Sequence, residues 1–517
     1  MTTFGFFETY MKKSIITILL AIFSISLSAR EANGGRSDSA SVFSVLDFGA
    51  KGDGKTIDTP AVNAAIAAAA GNGGGTVIFP EGRYACYSIH LASHVDLYLD
   101  QGAVILAAEP TETEGYDLAE EFEYGRKYQD YGHSHFKNSL IWGIDLQDIT
   151  ISGPGMIDGS GLVPGYGDDP LAQPAPLRGN KALVLKNCEN IELQDFTMYK
   201  CGHFALLATG VEHLNITNLT VDTQRDGFDI DCCRDVKITG CRLNCPWDDG
   251  ICLKASYALG KFKDTEDVLI RDCVVMAYKE GTMLDGRYLM PYDKQGHSWS
   301  PDRDQRPPFK FFGHGRVKFG TESSGGFRNI TVENIQLESC GGIFLETVDG
   351  GILENVEIKN IKIKGTNAPI FFRLGARMRS PEGTPVGALR NVRITNLTAT
   401  DADPRFPILL SGIPGYKIEN VTLRNINIEF QGGLTPDDVQ APAAVPENAD
   451  KYPEYRMFGP IPSKGAYLRH VKDIRIDGLH LRYTKPDTRP LFIFEDVQGL
   501  HLNDITVEGK DVTSDWR

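Results

Sequence analysis

The chain has 517 residues and a formal net charge of −15 at pH 7, from 53 Lys and Arg against 68 Asp and Glu. This acidity argues against nucleic acid as a partner, because phosphate binding requires clustered cations. It would also repel an acidic polysaccharide at long range, so such a substrate requires basic side chains gathered at a cleft. The length exceeds that of a usual single core, although a solenoid can grow lengthwise as one domain.

The first 30 residues carry the pattern of a secretory signal peptide. Lys12 and Lys13 precede an apolar run over residues 15–27, and small residues follow it. A run of this length is too short to span a bilayer. We expect translation to start at Met11, residues 1–30 to be removed, and the mature protein to be exported to the periplasm or the medium without a membrane anchor.

One helix is predicted, near the start of the mature chain. Residues 58–60 (Asp-Thr-Pro) supply cap residues and a first-turn proline, and the alanine-rich residues 61–70 favour a helix. A glycine-rich stretch ends the helix, and a strand over residues 76–80 follows. We expect the helix to cap the open end of a solenoid, with residues 41–80 forming the cap and the first coil.

An internal repeat follows, with the pattern apolar-x-apolar-x-polar-apolar-x-apolar. Its period of two is typical of strands, and its fifth position is usually Asn, Asp or Gly, which tolerate the positive φ of a sharp bend. Copies begin at Ile191, Leu214, Val236, Val268, Ile330, Val356, Val392, Val421, Ile474 and Leu500. The first two intervals are 23 and 22 residues, and later ones lengthen as inserted loops would require. The sequence therefore predicts an all-β fold, a parallel β-helix that forms a single domain over residues 41–517.

Stacked coils should bring three acidic residues together. Counting twelve residues from each of the first three copies gives His203, Asp226 and Asp248, which should form a column because neighbouring coils stack at about 5 Å. Asp249 would point away in a regular strand, unless the chain bends at Gly250. Three crowded acids cannot all ionise freely, so at least one pKa should rise. Glycosidic bond cleavage needs such a combination of a protonated acid and an ionised base.

These residues belong to motifs that resemble those of family 28 glycoside hydrolases, the polygalacturonase group of pectin-cleaving enzymes. The Asn-Thr-Asp-Gly-Phe-Asp motif of that family corresponds to residues 224–229 (QRDGFD), its Asp-Asp pair to Asp248 and Asp249, and its Gly-His-Gly to residues 313–315. The opening segment at residues 45–54 is common among pectin-active β-helices. The resemblance implies a single-stranded right-handed parallel β-helix of the pectin-lyase type.

The resemblance also implies hydrolysis with inversion at the anomeric carbon. Asp248 is expected to be the general acid, and Asp226 and Asp249 to hold and activate the water. An inverting site needs a gap of roughly 6.5–9.5 Å between acid and base, and crowding should keep Asp248 protonated near neutral pH. His314 would tune the acid or bind the substrate. Arg225 replaces a family Thr and could lower the pKa of Asp226. The mechanism requires neither a metal nor a cofactor.

Residues near these motifs are the candidates for binding an acidic pectin chain: His203, Arg225, Lys254, Arg316, Lys318, Glu322, Arg373 and Arg377. One departure from the family concerns this function. The family's Arg-x-Lys element, which holds a galacturonate carboxylate, falls on Phe344 and Glu346 in this chain. Either another basic pair, such as Arg373 and Arg377, serves that carboxylate, or the neighbouring sugar is not a uronate.

Three long insertions, at residues 109–137, 284–312 and 431–464, are expected to build the binding surface. Walls that close one end of a cleft favour exo over endo cleavage. The sequence therefore predicts an exo-acting galacturonosidase on homogalacturonan or rhamnogalacturonan.

Two alternatives stay open. One is β-elimination of the pectate-lyase type, with calcium held by the carboxylates, and the other is a non-catalytic carbohydrate-binding β-helix.

Overall fold

The computed structural model describes residues 41–124, 127–164, 175–291 and 312–516. From Val42 onward, these residues form one compact unit. The predicted signal peptide lies outside the described residues, as do residues 292–311 of the second insertion. The α-helix of the described ranges has 13 residues, and no helix in them is long and apolar enough to cross a membrane.

The fold is built mainly from short strands. Those before the second insertion are β1 (Val42–Ser44), β2 (Asp53–Ile57), β3 (Gly75–Phe79), β4 (Gly82–Cys86), β5 (Ile89–His90), β6 (Val95–Leu99), β7 (Ala103–Ala107), β8 (Ile141–Ile144), β9 (Gln147–Ser152), β10 (Met156–Asp158), β11 (Lys181–Lys186), β12 (Glu189–Gln194), β13 (Thr197–Tyr199), β14 (Phe204–Thr209), β15 (Glu212–Thr217), β16 (Thr220–Asp222), β17 (Asp226–Asp231), β18 (Arg234–Thr239), β19 (Arg242–Asn244), β20 (Ile251–Ala255), β21 (Thr265–Arg271) and β22 (Val274–Met276).

The strands after that insertion are longer. They are β23 (Val317–Ser323), β24 (Phe327–Cys340), β25 (Ile343–Thr347), β26 (Ile352–Thr366), β27 (Ile370–Leu374), β28 (Ala388–Ala402), β29 (Ile408–Ser411), β30 (Ile418–Gly432), β31 (Ala466–Lys485), β32 (Phe492–Val507) and β33 (Lys510–Asp511). The described 3-10 helices are Val45–Phe48, Tyr131–His133, Pro436–Asp438, Pro442–Ala444, Tyr455–Phe458 and Thr513–Trp516.

The strands stack into three parallel sheets. Sheet A contains β5, β8, β11, β14, β17, β20, β23, β25, β27 and β29; sheet B contains β1, β3, β6, β9, β12, β15, β18 and β21; and sheet C contains β2, β4, β7, β10, β13, β16, β19 and β22. From β24 on, single strands bend from sheet B into sheet C, and β31 and β32 begin in sheet A as well. The structure confirms the predicted right-handed parallel β-helix.

The repeat copies lie in register along sheet B. Ile191 pairs with Leu214, Leu214 with Val236, Val236 with Val268, and Val268 with Ile330. The inserted loops therefore lengthen the sequence interval without shifting the stack, since each copy returns to the same buried position.

The predicted bends are also confirmed. Eight residues at the fifth position of the repeat have φ between 53 and 70°: Asp195, Asn218, Gly240, Asp272, Asn334, Asn360, Asn396 and Asn425. Asn tolerates this conformation better than other side chains do. It also forms a ladder here, because the amide of Asn360 donates to Oδ1 of Asn334 at 3.0 Å and that of Asn396 donates to Asn360 at 3.0 Å.

The predicted helix is confirmed as α1 (Thr59–Gly71), with Pro60 in its first turn. Val62 and Ile66 lie on its buried face, within the core that fills the coil interior. Two strands that the sequence pattern did not reveal, β1 and β2, precede α1 and pair with β3 and β4. Both early strands are largely exposed, so they lack the alternating apolar pattern by which a strand is recognised.

Two insertions pack over sheet A, and we call these two covering segments the roofs. On the C-terminal side, the third insertion contributes Val445, Tyr455, Phe458 and Ile461 to a buried cluster with Phe344, Phe371, Leu409 and Tyr467 of the sheet. On the N-terminal side, Phe136 of the first insertion forms a buried cluster with Val184, Phe204 and Leu207. Between the two roofs lie β17, β20 and β23, which together span about 10 Å of the sheet.

Candidate active site

Asp226, Asp248 and Asp249 lie together at one edge of sheet A. Asp226 is the first residue of β17, while Asp248 and Asp249 precede β20 in the next coil. One carboxyl oxygen from each residue lies within 4.8 Å of the others. The three acids therefore meet, with a bend in the chain at Asp248. The predicted column of His203, Asp226 and Asp248 is nevertheless one residue out of register, because Asp226 pairs with Phe204 and the pairing of Phe228 with Ile251 continues back to set Asp226 beside Asp249.

Two glycines allow this bend. A Cβ on Gly250 would lie 2.3 Å from Cγ1 of Val275, and a Cβ on Gly227 would lie 2.3 Å from the carbonyl oxygen of Gly250. No side chain fits at such a distance, so glycine at both positions lets the neighbouring coils approach closely. The two glycines thus hold the carboxyl groups together through the backbone.

The pKa values of Asp226 and Asp248 are shifted in opposite directions, so Asp226 holds a proton more readily than Asp248 does. Burial raises the pKa of Asp226 well above its usual value, and the charges of Asp248 and Asp229 add to this. Burial also opposes the ionisation of Asp248, but the charge of Arg225 overcomes it and lowers the pKa of Asp248. The expectation that crowding keeps Asp248 protonated near neutral pH is therefore wrong, because its closest charged neighbour is a cation.

Arg225 binds Asp248 more closely than it binds Asp226. Its Nη2 lies 2.6 Å from Oδ2 of Asp248 and 3.9 Å from Oδ2 of Asp226, and its Nε donates to Asp248 at 3.2 Å. Arg225 does act to lower the pKa of Asp226, as expected, but burial outweighs its charge, so the pKa of Asp226 is raised overall. The Asp248 side chain is 21% exposed, against 5% for Asp226 and 2% for Asp249, so it is the most open to a substrate.

Asp249 is held ionised by cations of the adjacent coils. Burial opposes its charge, but Arg316, Lys318 and Lys254 lower its pKa far below the usual range. Nε of Arg316 donates to Oδ1 of Asp249, and Nζ of Lys318 lies 3.4 Å from Oδ2. The site thus combines a carboxyl group of raised pKa, Asp226, with one of lowered pKa, Asp249. Glycosidic cleavage requires a protonated acid together with an ionised base.

Arg316 and Lys318 form an Arg-x-Lys element in the coil before Phe344 and Glu346, two residues earlier in the register. Lys318 pairs in register with Phe344 of the next strand. The guanidinium carbon of Arg316 lies 4.9 Å from the centre of the Phe344 ring. Nζ of Lys318 lies 3.7 Å from Oε2 of Glu346. Burial raises the pKa of Glu346 to about 8, and neither of its carboxyl oxygens has a hydrogen-bond partner.

Two histidines flank the acids. Nε2 of His203 lies 3.8 Å from Oδ2 of Asp226. Burial lowers the pKa of His203 well below its usual value, and Arg225 adds to the effect. Burial lowers the pKa of His314 as well, with Arg316 adding to it, and the buried Nδ1 of His314 has no hydrogen-bond partner. Both rings are therefore neutral near pH 7.

A second ionic cluster extends the site along sheet A. Nζ of Lys254 lies 3.1 Å from Oε2 of Glu322 and 3.8 Å from Oδ2 of Asp229. Nη2 of Arg377 lies 3.9 Å from Oε1 of Glu322, and Nε2 of His133 lies 3.0 Å from Oδ2 of Asp229. Lys254, Glu322 and Arg377 were predicted. Asp229 was missed although it belongs to the Asp226 motif, and no sequence signal marks His133, which lies in an insertion.

Arg373 is closed to a substrate, so its predicted binding role is wrong. Its side chain is fully buried, and its guanidinium donates to the carbonyl oxygens of Gly412, Glu447 and Asn448. It thereby fastens the insertion at residues 431–464 to sheet A. Its partners lie in distant loops, so the sequence pattern around Arg373 could not distinguish this structural role from a binding role.

The ligand-type residues of the site have an unfavourable environment for a divalent metal ion. In the part of the chain that the structure describes, two sets lie within 4.8 Å of one another: Asp226, Asp248 and Asp249; and Asp130, His133 and Glu322. Arg225 and Lys318 contact the first set, and Lys254 and Arg379 contact the second. These cations neutralise the carboxylates and would repel a metal ion.

Comparisons with known proteins agree with this architecture. Residues 42–251 match a family model described as rhamnogalacturonase A/epimerase, pectate lyase-like. A probable polygalacturonase of Vitis vinifera is 22% identical over 451 residues, which cover 80% of this chain and 82% of the relative. The structure of a hyperthermoactive exopolygalacturonase from Thermotoga maritima has a TM-score of 0.58 at 20% identity and covers 77% of this chain and 88% of its own.

A family 28 exopolygalacturonase from Yersinia enterocolitica also has a TM-score of 0.58, at 15% identity, and covers 93% of this chain and 80% of its own. At these identities the structures establish the fold. Together with the motifs, the comparisons confirm the resemblance to the polygalacturonase group of family 28 glycoside hydrolases.

Proposed function

We propose that this polygalacturonase-like chain hydrolyses α-galacturonosidic linkages in pectin, in homogalacturonan or rhamnogalacturonan. The observation that carries the proposal is the cluster of Asp226, Asp248 and Asp249, in which one carboxyl group holds a proton and another is held ionised. Stability does not explain such a cluster, because desolvation and mutual repulsion both oppose it. The likeness to polygalacturonases supports a galacturonosidic bond as the one cleaved.

We assign the general-acid role to Asp248, because its side chain is the most open to a substrate. Asp226 and Asp248 share one proton, which rests on Asp226 while Arg225 binds Asp248. The proton passes to Asp248 and then to the glycosidic oxygen, whose bond to the anomeric carbon breaks. Water attacks this carbon and gives a proton to Asp249. The products are free galacturonate and a shortened chain.

The inverting course is proposed from the motifs, since the spacing of the acids gives it no support. Their closest oxygens lie within 4.8 Å, whereas the carboxyl groups of an inverting pair are roughly 6.5–9.5 Å apart. The carboxyl groups must therefore separate when substrate and water enter. Proton NMR of the first product formed tests this, because inversion at an α-linkage releases the β anomer and retention releases the α anomer.

Exo cleavage is proposed from the two roofs over sheet A. The buried clusters around Phe136 and Tyr455 close the sheet on either side of β17, β20 and β23. A polymer bound along its middle would need a groove that continues past both roofs. The covered strands on either side, β14 and β25, are four strand spacings apart, about 19 Å, and a space of this length suits the end of a chain instead. A pectin substrate, which lies outside the cell, also agrees with the predicted export.

Product analysis on homogalacturonan and rhamnogalacturonan tests the proposal. We expect galacturonic acid to be released from the start, and Asp248→Asn to lose about 100-fold or more of the activity. Asp272→Asn is the control, because it places Asn at an exposed coil bend where other coils already have it. A ladder of oligomers would contradict exo cleavage. Ultraviolet-absorbing products together with inhibition by a chelator would identify a lyase, and binding without turnover would identify a non-catalytic module.

A further inference from the structure

The cations around the candidate active site are already paired with acidic side chains. Five of them each have two acidic neighbours within 4.0 Å: Arg225 with Asp226 and Asp248, Lys254 with Asp229 and Glu322, Arg316 with Asp249 and Glu454, Lys318 with Asp249 and Glu346, and Arg377 with Glu322 and Asp349. Each of these five cations therefore already has acidic partners in the protein.

Arg316 is paired through all three of its guanidinium nitrogens. Its Nε donates to Asp249, while its Nη2 and Nη1 lie 2.7 and 3.1 Å from Oε1 and Oε2 of Glu454. The two Nη atoms form the fork by which arginine binds a carboxylate bidentately, and Glu454 is bound to both of them. Burial opposes the charge of Glu454, but Arg316 and Lys318 lower its pKa, so the carboxylate stays ionised.

Glu454 is fixed in this position by the residues that follow it. Tyr455 is buried, with its ring centre 4.6 Å from that of Phe406 and 5.6 Å from that of Phe344. Phe458 belongs to the same apolar cluster. Glu454 directly precedes the short helix that carries both aromatic residues. The backbone at Glu454 is therefore anchored by the apolar cluster, which keeps its carboxylate within reach of Arg316.

We infer that the sugar bound over Arg316 and Lys318 is uncharged, so that the cleaved bond joins a galacturonate to a neutral sugar. The inference rests on the pectin hydrolysis proposed above. A uronate at this position would lose hydration and face Asp249 and Glu454 without a free cation. A neutral sugar needs only hydrogen bonds and an apolar face. Tyr452 offers such a face, because its ring is 51% exposed and lies 5.6 Å from Nζ of Lys318.

The test compares two sets of oligosaccharides. One set is oligogalacturonates, in which every bond joins two uronates, and in the other galacturonate alternates with a neutral sugar. We expect kcat/KM to be about tenfold higher or more on the alternating set, because an unpaired carboxylate is disfavoured in a site of like charge. Glu454→Gln frees the fork of Arg316 and should raise kcat/KM on oligogalacturonates about threefold or more. Asp450→Asn, at an exposed position of the same insertion, should change neither value.

Each outcome separates the inference from the proposed function. Equal or faster cleavage of oligogalacturonates by the unaltered protein would overturn the inference and leave pectin hydrolysis standing. Cleavage of neither set would refute the proposed function itself. The comparison of substrates needs no variant, so it holds even if thermal unfolding shows that Glu454→Gln is misfolded. A folded Glu454→Gln protein that gains nothing on oligogalacturonates would show that Glu454 does not exclude the uronate.

Discussion

Replacing Arg225 by Gln should move the alkaline limb of the pH–activity profile to higher pH. Arg225 contacts Asp248 at 2.6 Å and lowers its pKa. An arginine beside an aspartate lowers that pKa by about 1–3 units, each worth about 1.36 kcal/mol. Asp248 is only 21% exposed, so solvent screens little of this effect. A general acid acts only when protonated, so activity falls as pH rises through its pKa. Raising that pKa should shift the limb upward by about 1–3 pH units.

The measurement is kcat/KM against pH, which reports the groups of the free enzyme. Arg234→Gln is a matched control, because Arg234 pairs with Glu212 on the exposed side of sheet B, and its profile should equal that of the unaltered protein. A limb that stays in place, or that moves to lower pH, would refute the control of the acid by Arg225. Since Arg225 also acts on Asp226, the shift belongs to the pair of acids rather than to Asp248 by itself.

Four further variants test the acids, the bend and the coil. Asp248→Asn should recover most of its lost activity on an aryl α-galacturonide, whose leaving group needs no proton, whereas Asp249→Asn should stay inactive; aryl release is the readout. Gly250→Ala should lower kcat about tenfold or more while circular dichroism stays unchanged, because its Cβ would meet Val275 and displace the acids. Asn360→Ala should lower the free energy of unfolding by about 1–2 kcal/mol, because φ is 59° there. An Asn360→Ala protein that unfolds like the unaltered chain would contradict the ladder.

The coil could be predicted because a β-helix imposes the same local requirement in every turn. Asn334, Asn360 and Asn396 adopt nearly the same φ and bond to one another, so one rule recurs along the chain. The acids followed from the same frame, since the register that aligns the strands also fixes the turn residues beside them. Counting along this frame therefore placed Asp226 and Asp248 in neighbouring coils without knowledge of any loop, although the counted column was one residue out of register with the strands.

Contacts made by the insertions could not be predicted in this way. His133 reaches Asp229 across 96 residues, and Glu454 reaches Arg316 across 138. Their positions depend on how each insertion packs against sheet A, which no period in the sequence encodes. The error on Arg373 has the same origin, because its partners belong to one of these loops. The prediction that Asp248 stays protonated failed for a related reason. The pKa of Asp248 is lowered by the charge of Arg225, which outweighs burial and the neighbouring acid.

The absence of the Arg-x-Lys element from its family position is interpreted differently from the sequence and from the structure. In sequence, Phe344 and Glu346 replace a carboxylate-binding pair, whereas in space an Arg-x-Lys pair lies in the preceding coil, at Arg316 and Lys318, two residues earlier in the register. There it lowers the pKa of Asp249, so charges that would bind a substrate ionise the base instead. The double substitution Phe344→Arg and Glu346→Lys would place two new cations beside Arg316 and Lys318. We expect this protein to unfold at lower temperature without gaining activity on oligogalacturonates, and a stable, more active double variant would contradict this interpretation.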